Sequence, residues 1–126
     1  MKRSAANTYT IDELREALRP VASLISKSEK AQQKLATGTW QYTMLRDNLK
    51  ALHIASVLMN GETADTECFT RDDLQEALDV LAVLINKVEE AQAKFSPGTS
   101  QHTLQRNRLK ALRVAEALIK TELDKG

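Results

Sequence analysis

Apolar residues recur at helical spacing in two long stretches of the chain, and each stretch is followed by another. The first stripe runs from Leu14 through Ala17, Leu18, Val21, Leu24, Ile25 and Ala31 to Leu35. Its later copy runs from Leu74 through Ala77, Leu78, Leu81, Leu84, Ile85, Val88 and Ala91 to Phe95. Steps of three and four place such side chains on one face of an α-helix. The pattern predicts a first helix over 11–35 and a second over 40–60, the latter carrying Met44, Leu45, Leu52, Ala55, Leu58 and Met59 on its apolar face. Their copies are expected over 71–95 and from Ser100 to Lys120 or beyond.

The second half repeats the first. Residues 9–60 align with 69–120 at a constant offset of 60 without a gap, and 25 of the 52 pairs are identical. A repeat of this kind fixes the unit of architecture before propensity is considered. Each unit opens with a capping signal: Thr10 with Glu13 three residues on, and Thr70 with Asp73. The hydroxyl of such a pair takes one orphan amide of the first turn and the carboxylate takes another. Tyr9 with Leu14, and Phe69 with Leu74, stand where a hydrophobic staple would be. Pro20 falls inside the first helix where Val80 falls in its copy, which predicts a kink or a later helix start.

Thr37-Gly38-Thr39 and Pro97-Gly98-Thr99 separate the helices of each unit. Glycine suits the left-handed C′ position, and Thr39 or Thr99 suits the next N-cap. A connection this short makes the two helices antiparallel neighbours. The expected fold is therefore all-α: a four-helix up-down bundle made from two tandem helical hairpins with pseudo-twofold internal symmetry. Its parts are a flexible N-terminus (1–8), one hairpin (9–60), a polar linker (61–68) and a second hairpin (69–126), both hairpins in one domain. Pairing hairpins between two molecules would bury the same surface.

Composition narrows the picture. Of 126 residues 42% are apolar but only 4% aromatic, so the core must be built from Leu, Ile, Val and Ala. A net charge of +1 gives no general attraction to nucleic acid or to acidic membrane. The single cysteine, Cys68, excludes an intrachain disulfide and suits a reducing compartment. The acidic Glu67, Asp72 and Asp73 near it oppose thiolate formation. No apolar run approaches the ~18 residues of a membrane span. A cytoplasmic protein is expected.

Chemistry is sparse. The two histidines are preceded three residues earlier by Lys50 and Thr99, so the Glu-x-x-His pairs of metal-holding bundles are missing. No nucleotide, haem or zinc motif occurs, and the acid pairs Asp12-Glu13 and Asp72-Asp73 belong to caps. No enzyme activity, cofactor or metal is expected. Arg46, Lys50 and His53, and their copies Arg106, Lys110 and Arg113, form a row opposite the apolar face, the ordinary solvated side of an amphipathic helix. Residues 71–95 carry three basic and six acidic groups, residues 100–120 five basic and one acidic, so these adjacent helices attract.

Where the copies differ is more informative. Asn48 and Arg108 interrupt the apolar face, and Arg108 is expected to pair with Glu89 or Glu90, since an unpaired buried charge is costly. Gln32 should meet Thr43 near the hairpin tip, and Gln92 should meet Thr103. Trp40 and Tyr42 stand at one tip against Ser100 and His102 at the other, and such residues anchor protein interfaces. The functional expectation is a non-enzymatic interaction or scaffold module that binds a protein partner or itself through Trp40 and Tyr42. The alternative is weak binding of nucleic acid or another anionic ligand through Arg106, Arg108, Lys110 and Arg113.

Overall fold

A computed structural model describes residues 9–60 and 69–125. These residues form four helices and no strand: α1 (Ile11–Gln33), α2 (Trp40–Asn60), α3 (Arg71–Ala93) and α4 (Ser100–Lys125). The N-terminus over 1–8 and the linker over 61–68, with Cys68, lie outside the described residues.

The capping boxes form at both helix starts. Thr10 Oγ1 accepts the Glu13 amide at 3.0 Å, and Glu13 Oε1 accepts the Thr10 amide at 2.9 Å. Thr70 and Asp73 make the same two bonds at 3.0 Å each, so the shorter aspartate completes the box as well as glutamate does. Tyr9 and Phe69 pack against the core beside the first turn of each helix. α1 starts directly after its cap and continues through Pro20, so the proline neither delays nor ends it. The ring has no N–H, and the Glu16 carbonyl therefore lacks its usual intrahelical donor.

Helix ends differ from the sequence expectation. α1 stops at Gln33 and α3 at Ala93, two residues before 35 and 95, each closed by a lysine amide bonded to the preceding turn. Gly38 and Gly98 are thus too far along to be C′ residues. They serve a separate turn, with φ of +92° and +91°. The Thr39 amide bonds the Ala36 carbonyl at 3.4 Å, and Thr99 bonds Ser96 at 3.2 Å, so glycine is the third residue of a four-residue turn. A positive φ there, with proline second in the Ser96–Thr99 copy, defines a type II turn. Thr39 and Thr99 then cap the next helix, each Oγ1 accepting an amide three residues on at 3.2 Å.

This turn carries a prediction. Thr37 occupies the second turn position that Pro97 holds in the other copy, and its amide donates no backbone bond in the turn. Thr37→Pro should raise stability by about 0.5 kcal/mol, because proline narrows the unfolded ensemble without straining the folded one. Urea unfolding followed by circular dichroism checks it; a loss of stability would mean that residue 37 does not hold a proline-compatible φ.

The helices alternate in direction. α1 packs on α2 and α4, and α3 packs on α4 and α2. α2 and α4 also touch each other, whereas α1 and α3 do not meet. The cross-section is a rhombus with α2 and α4, running parallel, on its short diagonal. A helix with three neighbours must bury a wider arc than one with two. Accordingly α2 buries Leu49, Ala51 and Ile54 as well as Leu52, Ala55, Leu58 and Met59, while α1 fully buries only Ala17 and Val21. Val21, Leu52, Ile54, Leu81, Leu112 and Ile119 are the largest side chains shut off from water, which gives an aliphatic core. Phe95, expected at the end of the α3 stripe, lies past the helix end and is 37% exposed.

Candidate interaction grooves

The two long edges of the rhombus, α1/α4 and α2/α3, are grooved. Small residues face each other there: Ala17 and Ala111 floor one groove, Ala51 and Ala77 the other. Alanine leaves space at those positions, and volumes of about 380 and 370 Å³ stay open. The rims are charged. Glu13, Glu16 and Arg19 of α1 face Asn107 and Lys110 of α4, whereas Asp73, Glu76 and Asp79 of α3 face Arg46, Asp47 and Lys50 of α2.

One ion pair spans the α2/α3 groove, from Lys50 Nζ to Asp73 Oδ1 at 2.8 Å. The hydrogen bond from Lys50, reinforced by the Thr70 backbone amide, holds the Asp73 carboxyl below its ordinary value. The same hydrogen bond and the charge of Asp73 raise the Lys50 ammonium. A depressed carboxylate stabilises the fold above its unfolded value and loses that contribution as pH falls through the folded one. A raised lysine stabilises below its unfolded value and loses that contribution as pH rises through the folded one. The bridge therefore holds across the whole neutral range. In the α1/α4 groove no ion pair joins Lys110 to Glu13 among the described residues.

Toward the hairpin tip the α2/α3 groove becomes apolar. Trp40, Met44, Val80 and Val83 line a further hollow of about 330 Å³ that shares Asp47 and Val80 with the charged part. Trp40 is 70% exposed and Val83 53%. Trp40 is the first residue of α2, where the neighbouring helices no longer surround it. Tyr42 does not share this surface. It is half-buried on another side of α2, and its backbone carbonyl accepts Gln32 Nε2 at 3.4 Å. Two residues along a helix turn the side chain by about 200°, so neighbours in sequence part company in space. That bond also corrects the expectation for Gln32, whose partner is the Tyr42 carbonyl and not Thr43.

The four basic residues of α4 do not converge. Arg113 is held by Glu89 of α3 at 2.9 Å, Lys110 lines the α1/α4 groove, and Arg106 is exposed. Arg108 lies on the inner side of the helix, half-buried, and its Nε is buried without a hydrogen-bond partner. The expected pairing of Arg108 with Glu89 is therefore incorrect, because Glu89 is taken by Arg113, further along α4. Glu90, the other expected partner, makes no ion pair with Arg108 among the described residues. No group of three metal-ligating side chains occurs among the described residues, and none of their helices is long and apolar enough to cross a membrane.

Met44, Val80 and Val83 were not singled out by the sequence as site residues, yet one signal for Val83 was present. Serine stands at the equivalent position 23, so valine is unexplained by any shared need of the two copies. Compared with known proteins, the chain matches no family model, no curated protein and no solved structure.

Proposed function

We propose that this protein is a non-enzymatic interaction module, a duplicated helical hairpin with pseudo-twofold symmetry that binds a protein through the tip of its α2/α3 groove. The observation that carries this reading is the exposure of Trp40 and Val83 on one hollow, beside Met44 and Val80. Large aromatic side chains in such hollows are the usual anchors of protein interfaces. The equivalent positions of the other copy hold Ser100, Ser23, Leu104 and Pro20, so the bundle does not require tryptophan or valine there. Binding of an anion by Arg106, Arg108, Lys110 and Arg113 has less support, because Arg113 is already paired and the Arg108 Nε is buried.

A photo-crosslinking side chain placed at position 83 tests the reading in the cells that make the protein. A discrete crosslinked product is expected, lost when Trp40→Ala is added and absent when the crosslinker sits at exposed Glu29. Trp40 is also the only tryptophan, so its fluorescence reports directly on the groove. In dilute protein it should be water-like and readily quenched, and shielded when a partner docks. Crosslinking that ignores Trp40→Ala would sink the reading.

A further inference from the structure

The charged rim of the α2/α3 groove is continuous with its apolar end. Arg46 and Lys50 of α2 stand against Asp47, Asp73, Glu76 and Asp79, a balance of −2. Both cations are already engaged, Lys50 with Asp73 at 2.8 Å and Arg46 with its neighbour Asp47 at 3.6 Å. Glu76 and Asp79 are exposed and make no ion pair among the described residues. Asp47 and Val80 border both this charged part and the hollow beside Trp40 and Val83. Lys87 follows one turn after Val83, its Nζ 3.9 Å from Met44 Sδ, so the acidic excess lies at the other end, around Glu76 and Asp79. The scaffold does not demand this excess. The other copy places Asn107 and Arg19 where Asp47 and Asp79 stand, and the charges that line the α1/α4 groove, Glu13, Glu16, Arg19 and Lys110, cancel.

We infer that the partner of the α2/α3 groove is an amphipathic helix that carries lysine or arginine beside its apolar face. From Asp73 to Val83 the surface follows ten residues of α3, about 15 Å, close to three turns of a helix laid along it. Ala51 and Ala77 on the floor leave room for such a helix to settle between α2 and α3. Its apolar side chains cover Trp40 and Val83, in the manner of a helix docked in a groove. Its cations meet Glu76 and Asp79, the two carboxylates of the rim that have no cation of their own. An acidic helix of the same shape is repelled, so the rim selects among partners that the apolar hollow alone would accept. The inference rests on the interaction reading of the hollow and names the chemistry of its partner.

Two synthetic amphipathic peptides of about four helical turns test it with the full chain. One has leucine on the apolar face and lysine elsewhere, the other has glutamate in place of lysine, and neither contains tryptophan. Trp40, the only tryptophan of the chain, then reports binding. The lysine peptide should move its emission to shorter wavelength and shield it from acrylamide, with an affinity that falls as salt is added. The glutamate peptide should do neither. Asp47→Asn combined with Asp79→Arg moves the rim from −2 to +1. Both sites are exposed and both changes install what the other copy carries there, so the circular dichroism melt should stay as in wild type. The double variant should bind the lysine peptide about tenfold more weakly or worse, since attraction becomes repulsion. A lysine peptide that leaves Trp40 emission unchanged overturns the inference, as do equal binding of both peptides or a double variant that binds like wild type. If the crosslink at position 83 still depends on Trp40 in any of those cases, only the basic partner falls. Loss of that crosslink as well removes the interaction reading.

Discussion

Leu112→Ala should lower the free energy of unfolding by about 3 kcal/mol, the middle of the range for a leucine removed from a packed interior. Leu112 is completely shut off from water, on the helix that touches all three others. Removing three carbons there leaves a cavity that no single neighbour can fill, because collapse toward one helix opens a gap at another. The loss is a large share of the roughly 5–15 kcal/mol that holds a domain of this kind together. Leu52 occupies the equivalent place in α2 and is 1% exposed, so Leu52→Ala should cost a similar amount. Denaturant unfolding by far-ultraviolet circular dichroism should show one transition moved to lower denaturant with an unchanged slope. A loss under about 1 kcal/mol for both variants would contradict the close packing of α2 on α4.

Pro20→Val should act in the opposite direction, adding about 2 kcal/mol. Proline in the tenth position of a helix forfeits an amide bond and crowds the carbonyl four residues earlier. Valine restores the donor for Glu16 and is the residue that α3 carries at the same place, half-buried like Pro20. The gain is set below the full proline penalty because valine is itself a mediocre helix former. Thermal unfolding at several scan rates checks it, and an unchanged or lower midpoint would show that the surrounding helix is already adapted to the ring.

Much of the bundle was legible because its signals are local. The Thr10–Glu13 and Thr70–Asp73 boxes span three residues, and the Thr39 and Thr99 caps follow directly from turns that glycine marks. What the residues did not disclose depends on which helices become neighbours. A single apolar face was expected for the second helix of each hairpin, but α2 also touches α4 and buries Leu49 and Ile54, which flank that face on either side. The partner of Arg113 is 24 positions away, and only the packing of α4 on α3 assigns Glu89 to it and not to Arg108. Trp40 and Tyr42 looked like one feature because they are close in sequence, and helical rotation separated them. The difference between the two groove rims was equally hidden: Arg19 and Asp79 differ plainly in the aligned copies, but nothing in the alignment says that each borders a groove.

The rhombic packing also frees the bundle from the order in which its hairpins are written. α1 meets α2 and α4, and α3 meets α4 and α2, so exchanging the hairpins leaves every helix with neighbours of the same kind. A circularly permuted gene encoding α3-α4 before α1-α2, joined by a copy of the existing connection, would specify the same topology with the same loop lengths. Such rearrangements are tolerated when the joined ends lie near each other. Either order of the hairpins would thus keep the same helix neighbours, which leaves the outer faces free to differ while the scaffold stays constant.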